Sequence, residues 1–268
     1  MNFISLTYTD LAIASLLVIA NALLSLALGL KLEKRFLIAA TRTVVQLTLM
    51  GLVLKTLFEL TSLWLTALAA LVMILFAGYE ASARQKQRFS GFWTYGLGTS
   101  SMMAAGLIVT TFALTTQLRP DPWFDPRYAI PLLGMILGNC MTGISLGLNS
   151  LIGNAVRERV AIEARLTLGQ DIHQALGGVV RDAVRTGLIP IINSMSAAGI
   201  VSLPGMMTGQ ILGGVPPVEA VKYQILIMFL IAGGTAIGLI CATYSAAWRL
   251  TDTRHRLRLD RLSPIQEP

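Results

Sequence analysis

The chain has 268 residues, of which 54% are hydrophobic and 13% are charged, and its formal net charge is +7. Soluble domains carry about 25% charged residues, so this chain cannot cover a water-exposed surface with polar groups. The composition therefore excludes a soluble protein and predicts an all-α polytopic membrane protein. A basic excess is expected in loops beside a membrane, so the charge indicates no nucleic-acid partner.

Seven apolar stretches approach or exceed the length of about 20 residues with which a helix crosses about 30 Å of hydrocarbon. They cover residues 10–30, 36–58, 62–80, 93–116, 128–149, 187–204 and 220–247, and the sixth is short. We therefore expect about seven transmembrane helices within residues 1–248, followed by a basic tail over residues 249–268.

The distribution of lysine and arginine predicts the orientation. Sixteen of these residues fall in one alternate set of loops and in the tail, four fall in the opposite set, and Arg42 lies inside the second stretch. Because basic residues accumulate on the cytoplasmic side of a membrane, we expect the N-terminus outside and the C-terminus in the cytoplasm.

Glycine pairs one turn apart mark the fifth and seventh stretches. They are Gly134 and Gly138, Gly143 and Gly147, and Gly234 and Gly238. Small residues at this spacing let helix backbones approach closely. The pairs therefore predict helix packing rather than a substrate site.

The longest predicted cytoplasmic loop, residues 150–186, has a helical pattern. Apolar residues recur at four-residue spacing among charged ones, which predicts an amphipathic helix; they are Val156, Val160, Ala164 and Leu168. Gly169 would end this helix, and Asp171 would cap a second one that continues toward the sixth stretch. Two interpretations stay open: a pair of helices lying on the membrane surface, or a docking element for a partner protein.

The string EARLTLG in this loop places Glu163, Ala164 and Gly169 as Glu-Ala-x-x-x-x-Gly. This spacing resembles the EAA loop of ABC-transporter permeases, whose helix inserts into a groove on the ATPase subunit. The family's second alanine is Arg165 here, and the string GLIP, ending at Pro190, stands where a closing Leu-Pro is usual. The resemblance implies that Glu163, Ala164 and Gly169 dock an ATPase.

Three further strings narrow the resemblance. They are RTVVQL at 42–47, GMILGNCMTGISLGLNSL at 134–151 and GIVSLPGMMTGQILGGVPPVEAVKYQI at 199–225. Together with the EAA-like loop, over residues 10–250, they resemble the Fet-type ABC permeases. That family includes bacterial iron-export permeases and plant permeases linked to aluminium tolerance.

The resemblance implies the permease subunit of a transporter in a bacterial inner membrane, exporting iron or another metal. It also implies two copies of this chain paired with two ATPase subunits, which use ATP and magnesium, while this chain binds no cofactor. The sequence lacks both Gly-x-x-x-x-Gly-Lys-Ser/Thr and His-Glu-x-x-His, so we expect a transport subunit and not an enzyme. An import permease for a small solute is the alternative, because EAA loops are typical of importers.

Ionisable and polar groups inside the apolar stretches are candidate pathway residues, because such groups are costly in hydrocarbon. Arg42 and, one turn deeper, Gln46 lie in the second stretch, and Glu80 ends the third. Either Arg42 and Glu80 form an ion pair that joins two helices, or Glu80 lies at the cytoplasmic mouth of a cation route.

The fifth stretch contains Asn139 and three sulfur-bearing residues, Met135, Cys140 and Met141. Sulfur ligands suit soft or borderline metals, so these residues are candidate metal contacts. The same side chains also fill gaps in helix cores, which is the alternative.

The sixth stretch is bracketed by Pro190 and Pro204, and a glycine-rich string begins at Gly205. Interrupted helices often line the substrate site of a transporter, which makes Pro204 and Gly205 candidate gate residues. An outer loop over residues 205–214 is the alternative.

The charge distribution makes a testable prediction of orientation. Single cysteines introduced at Ser5, Gln87 and Gln170 would be treated with an impermeant thiol reagent in intact cells. We expect labelling at Ser5 only, because the other two positions belong to basic loops. Labelling at Gln87 or Gln170, but not at Ser5, would contradict the orientation.

Overall fold

The computed structural model describes residues 7–252 and 254–263, and within them the chain is helical. Its helices are α1 (Tyr8–Ala27), α2 (Glu33–Leu60), α3 (Leu63–Ala83), α4 (Trp93–Phe112), α5 (Pro126–Arg157), α6 (Arg159–Thr167), α7 (Ile172–Ala197), α8 (Gly205–Leu212) and α9 (Pro217–Arg249). A π-helical turn, Ala113–Leu118, continues α4, and a 3₁₀ turn, Leu259–Arg261, follows α9. The all-α membrane class is confirmed. Ser5 and the last five residues of the predicted tail lie outside the described residues.

Six helices in the described residues are long and apolar enough to cross a membrane: α1, α2, α3, α4 with its π-helical turn, α5 and α9. The sixth predicted span, residues 187–204, is not a helix of its own. Residues 187–197 are the end of α7, which starts within the predicted loop and runs through Pro190 without ending there. The boundary inferred from Pro190 is therefore wrong, and α7 is a helix of 26 residues with a polar first half.

The chain divides into two compact units, one of which contains α1, α2 and residues 212–214. In this unit Thr7 and Asp10 cap α1 reciprocally, with the Thr7 N–H donating to Asp10 Oδ2 at 2.8 Å. At the turn between the helices, Ser25 Oγ accepts from the Leu32 N–H at 3.0 Å and donates to Glu33 Oε2 at 3.3 Å. Most apolar side chains of α1 and α2 are exposed, as lipid-facing helices require.

The second unit contains the rest of the described chain and is built around α5. This helix packs against α3, α4, α7 and α9 and contributes sixteen buried residues. Two close contacts fix the direction of α9: a Cβ on Gly234 would lie 2.8 Å from Ile136, and one on Gly238 would lie 3.6 Å from the Cys140 sulfur. From the first contact to the second, the residue number increases by four on each helix. The helix α9 therefore runs parallel to α5.

A direct backbone contact in this unit joins α5 and α7 through glycine. A Cβ on Gly143 would lie 3.0 Å from the Gly187 carbonyl oxygen, and one on Gly187 would lie 2.7 Å from the Gly143 carbonyl oxygen. A Cβ on Gly147 would in turn lie 3.3 Å from the Ala183 carbonyl oxygen, so the two helices run antiparallel. The backbones touch because neither helix has a side chain at the crossing.

The predicted glycine packing is confirmed for four of the six predicted residues. Gly143, Gly147, Gly234 and Gly238 all stand where an added Cβ would press on a neighbouring helix. A Cβ added at Gly134 would meet only the flexible end of Met73, and one added at Gly138 would meet nothing within 4 Å. The partner on α7, Gly187, was not predicted, because it is not part of a glycine pair in the sequence.

The predicted basic tail is folded onto the loop between α3 and α4. The part described here, residues 250–263 without residue 253, is called the C-terminal strap. Its Ser263 N–H donates to the Arg88 carbonyl at 2.7 Å, and the Ser90 N–H donates to the Arg261 carbonyl at 2.8 Å. Leu250 is fully buried at the start of the strap. The strap is thus a packed element and not only a run of charge.

Replacing Gly187 with alanine should destabilise the second unit. The new methyl group would enter the Gly143 backbone and Leu239, and overpacking of this kind costs about 1–3 kcal/mol. Thermal unfolding of the detergent-purified protein measures the effect. The matched control is Gly138→Ala, where the added methyl meets open space and alanine has the higher helix propensity. Equal unfolding temperatures for the two variants would contradict the proposed backbone contact.

Candidate functional site

The loop between α5 and α7 is an ordered element whose centre is α6. The break between α5 and α6 falls at Glu158, and α6 then turns Ile162 into the core, where it is fully buried. On the same helix Arg165 Nη1 donates to the Ala175 carbonyl of α7 at 3.2 Å. Ile162 therefore anchors α6 in the core, and the Arg165 bond holds α6 against α7.

The turn from α6 to α7 depends on Gly169. Its φ angle is +89°, in the region that residues with a side chain rarely adopt. The Gly169 N–H donates to the Leu166 carbonyl, and the Gln170 N–H donates to the Arg165 carbonyl. The Asp171 carboxylate then accepts the Gln174 N–H at 2.8 Å and caps α7. The predicted helix stop at Gly169 and the predicted cap at Asp171 are both confirmed.

The outer face of α6 is apolar and uncovered. Val160 is 80% exposed, Leu168 is 85% exposed, and Ala164 between them is exposed. Glu163 borders this face and is held by Arg159, whose Nε lies 2.7 Å from its Oε1. The apolar face predicted from the four-residue spacing is therefore exposed. A different residue of α6, Ile162, packs into the core of the protein. We call Val160, Ala164 and Leu168 the α6 stripe.

The predicted ion pair or cation entry involves residues of both units. Arg42 and Gln46 lie on exposed positions of α2, in the first unit. Glu80 lies on α3, one turn before the end of that helix, and is half-buried in the second unit. Neither the ion pair nor the cation entry is decided by these positions, and both stay predictions.

The residues predicted as metal contacts on α5 face different surroundings. Cys140 is fully buried and packs against Gly238 of α9. Asn139 is half-buried, and its Nδ2 donates to the Met135 carbonyl of its own helix at 2.9 Å. Met135 and Met141 lie partly buried against the core. Cys140 is therefore enclosed by helix packing, whereas Asn139 and the methionines reach the surface of the unit.

No group of three or more His, Cys, Asp or Glu residues in the described chain is placed to hold a metal ion. The predicted roles of Met135, Cys140 and Met141 stay predictions.

Pro204 and Gly205 lie where the chain enters α8. After α7 ends at Ala197, a tight turn brings the Gly199 N–H to the Ser202 carbonyl at 2.9 Å. Pro204 then accepts the Thr208 N–H at 3.0 Å in the first turn of α8, a helix without buried residues. The structure thus has two helices with an irregular connection here, and the predicted gate stays a prediction.

Two polar residues of α5 have a role that the sequence did not reveal. Asn149 Oδ1 accepts the Lys86 N–H at 3.0 Å, and Ser145 Oγ lies 3.4 Å from the Ala81 carbonyl. These bonds fix the end of α3 and the loop after it to α5. The polar residues near the end of this apolar stretch are the sequence feature from which the contact could have been predicted.

These features define a polytopic helical membrane protein with an ordered polar loop carrying an exposed apolar stripe. The chain belongs to the family UPF0014, described as an uncharacterised protein family, whose model matches residues 8–250. The match covers α1 to α9 and ends where the C-terminal strap begins.

Relatives in bacteria and plants are similar over most of their length. The chain is 34% identical to the probable iron export permease protein FetB of Escherichia coli over 98% of this chain and 99% of that protein. It is 38% identical to the UPF0014 membrane protein slr1647 of Synechocystis over 80% and 82% of the two chains. Protein ALUMINUM SENSITIVE 3 of Arabidopsis thaliana is 34% identical over 87% and 83%. No solved structure matches significantly. The resemblance to the family of these permeases is confirmed.

Proposed function

We propose that the chain is the membrane-spanning permease subunit of an ABC transporter and that the α6 stripe docks a separate ATPase subunit. The observation that carries the proposal is the stripe itself: three apolar residues lie exposed on a helix that is anchored from its other side. An exposed apolar face on a fixed helix is typical of a binding site for a partner protein. The EAA-like residues Glu163, Ala164 and Gly169 lie on or beside this face.

The anchors of α6 suit mechanical coupling. Movement of an ATPase against the stripe would pass to α7 through Ile162 and the Arg165–Ala175 bond, because these contacts hold α6 on α7. From Gly187 the movement would reach α5 through the direct backbone contact. ATP and magnesium would be used by the partner subunit alone, and this chain would need no cofactor of its own.

A pair of permease copies with two ATPases is the assembly that we propose. Uncovered polar residues on α5 and α7 support it, because polar side chains facing lipid are costly. They include Thr142 on α5 and Asn193, Ser194 and Ser196 on α7, all at least partly exposed. A second copy of the chain would cover this surface and enclose a polar route between the two permeases.

The substrate that we propose is iron or another divalent metal, exported from the cytoplasm. Support comes from the name of the Escherichia coli relative, a probable iron export permease. Glu80 would collect the cation, since it is a half-buried carboxylate near the end of α3 that adjoins a basic loop. Uptake of a small solute is the alternative, favoured by the EAA-like loop.

The orientation that we propose places α6 and the C-terminal strap in the cytoplasm of a bacterial cell and the N-terminus outside its inner membrane. The excess of basic residues on these loops supports this orientation. It is also the orientation in which the α6 stripe could meet an ATPase.

The docking proposal predicts that Glu163→Lys and Gly169→Val release the ATPase subunit. The first change turns the Arg159–Glu163 pair into a repulsive one, and the second strains the turn by about 1–3 kcal/mol, since valine rarely adopts a positive φ. Co-purification with the ATPase and permease-stimulated ATP hydrolysis are the two measurements.

Matched controls are available for both changes. Glu219→Lys makes the same charge reversal at another exposed ion pair, and Gly153→Val adds the same side chain at an exposed helical glycine with open space around it. Both controls should retain the ATPase. If all four variants bind and stimulate the ATPase equally, the α6 stripe is not the docking site.

The export proposal predicts lower intracellular iron in iron-loaded cells that express the permease with its ATPase. Glu80→Gln should reduce export by about tenfold, because an amide replaces the charged ligand. Glu59→Gln, at an exposed carboxylate of α2, is the control. Unchanged iron with the wild-type pair would reject iron export. Lowered iron with a fully active Glu80→Gln would leave export standing and remove Glu80 from the route.

A further inference from the structure

A cavity of about 390 Å³ lies where the end of α9, the start of α7 and the C-terminal strap meet. Its wall includes the charged residues Arg249, Arg261 and Asp252, together with His173, His255 and Trp248. The volume is within the range of about 300–1,000 Å³ that small-molecule sites have. Two arginines against one carboxylate leave an excess of positive charge in the wall, which indicates an anionic ligand.

The carboxylates near this cavity are already bound by other arginines. Asp252 forms an ion pair with Arg256, and Arg258 binds Asp260 through two hydrogen bonds of 2.8 Å. The hydrogen bond from Arg258 holds the pKa of Asp260 at about 2, so this carboxylate stays ionised and engaged. These two acids are therefore held mainly by Arg256 and Arg258, and the electrostatic effect of Asp260 on Arg249 and Arg261 offsets only part of the positive charge of the two arginines.

Arg249 and Arg261 form no ion pair with a carboxylate in the described part of the chain. Arg261 donates through Nη1 to the Arg249 and Thr251 carbonyls, which positions its charge beside that of Arg249. The Nε of Arg249 is buried and lacks a hydrogen-bond partner. A buried donor without a partner is destabilising, and an anion in the cavity would lower the cost of holding two guanidinium groups together.

An apolar groove adjoins the basic cavity. It has a volume of about 430 Å³ and is lined at the start of α4 by Phe92, Trp93, Gly96 and Leu97. The Arg249 guanidinium lies 4.3 Å from the centre of the Trp93 ring, so this contact forms the shared wall of the cavity and the groove. A Cβ added at Gly96 would meet nothing within 4 Å, because the groove is open there.

We propose that the cavity and the groove together bind an anionic glycerophospholipid. The phosphate would lie in the cavity with Arg249 and Arg261, and one acyl chain would follow the groove along α4. Basic pockets between transmembrane helices on the cytoplasmic side bind such head groups. The exposed Trp93 and Trp248 mark the head-group level, where tryptophan is enriched. The groove favours a lipid over free phosphate, which has no apolar part.

The test uses the purified full-length protein in detergent with brominated phosphatidylglycerol as probe and brominated phosphatidylcholine of the same chains as reference. Trp64→Phe and Trp123→Phe leave Trp93 and Trp248 as the fluorophores that bromine quenches. We expect phosphatidylglycerol to quench the tryptophan fluorescence at concentrations about tenfold lower than phosphatidylcholine does. A charged hydrogen bond to phosphate contributes about this difference in affinity.

Three substitutions test the basic cavity and the apolar groove separately. Arg249→Gln should abolish the preference for phosphatidylglycerol, whereas Arg249→Lys should largely restore it by keeping the charge. Gly96→Leu should fill the groove and weaken both lipids without changing the charge. Arg254→Gln, which removes an exposed arginine of the same strap, is the matched control and should behave as the wild type. Thermal unfolding of each variant checks its fold.

Equal quenching by the two lipids in the wild type would overturn the proposal. Competition by millimolar inorganic phosphate, together with an unaffected Gly96→Leu, would assign the cavity to a free phosphate and would also overturn it. If the purified protein shows no lipid preference but Arg249→Gln releases the ATPase, the cavity binds an acidic protein surface and the lipid assignment is wrong. A preference that is lost in Arg249→Gln and retained in Arg254→Gln supports the proposal.

Discussion

The direct contact between the backbones of α5 and α7 is the constraint on which the second unit depends. At Gly143 and Gly187 each helix presents its carbonyl oxygen to the other, and no side chain could be inserted between them. Close approach of this kind gains dispersion contacts that lipid cannot replace, which is how helices associate within a membrane. The contact sets the position of α7 along α5, and α7 in turn sets the position of α6.

The proposed function depends on these contacts, through which α5 positions α7 and α7 positions α6. A helix with polar residues in its first half would not be held at a fixed depth by hydrophobicity alone, and α7 carries Arg181, Asp182 and Arg185 there. Its glycine contact and the Asp171 cap give it a defined register, so the bond from Arg165 to Ala175 also has a fixed position. As a result the α6 stripe is displayed on a rigid base, which a site that transmits force requires.

The sequence predicted the class, the glycine-terminated helix and its capped successor, because each depends on local chemistry that a few neighbouring residues encode. It did not predict the course of α7, since a proline inside a helix and a proline at its start are alike in the sequence. Nor did it predict that Ile162 would be buried and Val160 exposed, because the choice of face depends on which helix lies opposite. The partners of Asn149 and of the C-terminal strap are distant in the sequence and leave no periodic signal.

The bond between Ser263 and Arg88 joins residues 175 positions apart, and this separation has a consequence for biosynthesis. The loop after α3 leaves the ribosome before the residues that complete its hydrogen bonds, because those residues follow it by about 175 positions. At about 5–20 residues per second the loop waits on the order of 10 s, with its Arg88 carbonyl and Ser90 N–H bonded to water. Closure of the strap is therefore a late event that follows the synthesis of α4 to α9, and until it occurs the loop after α3 is open to proteases.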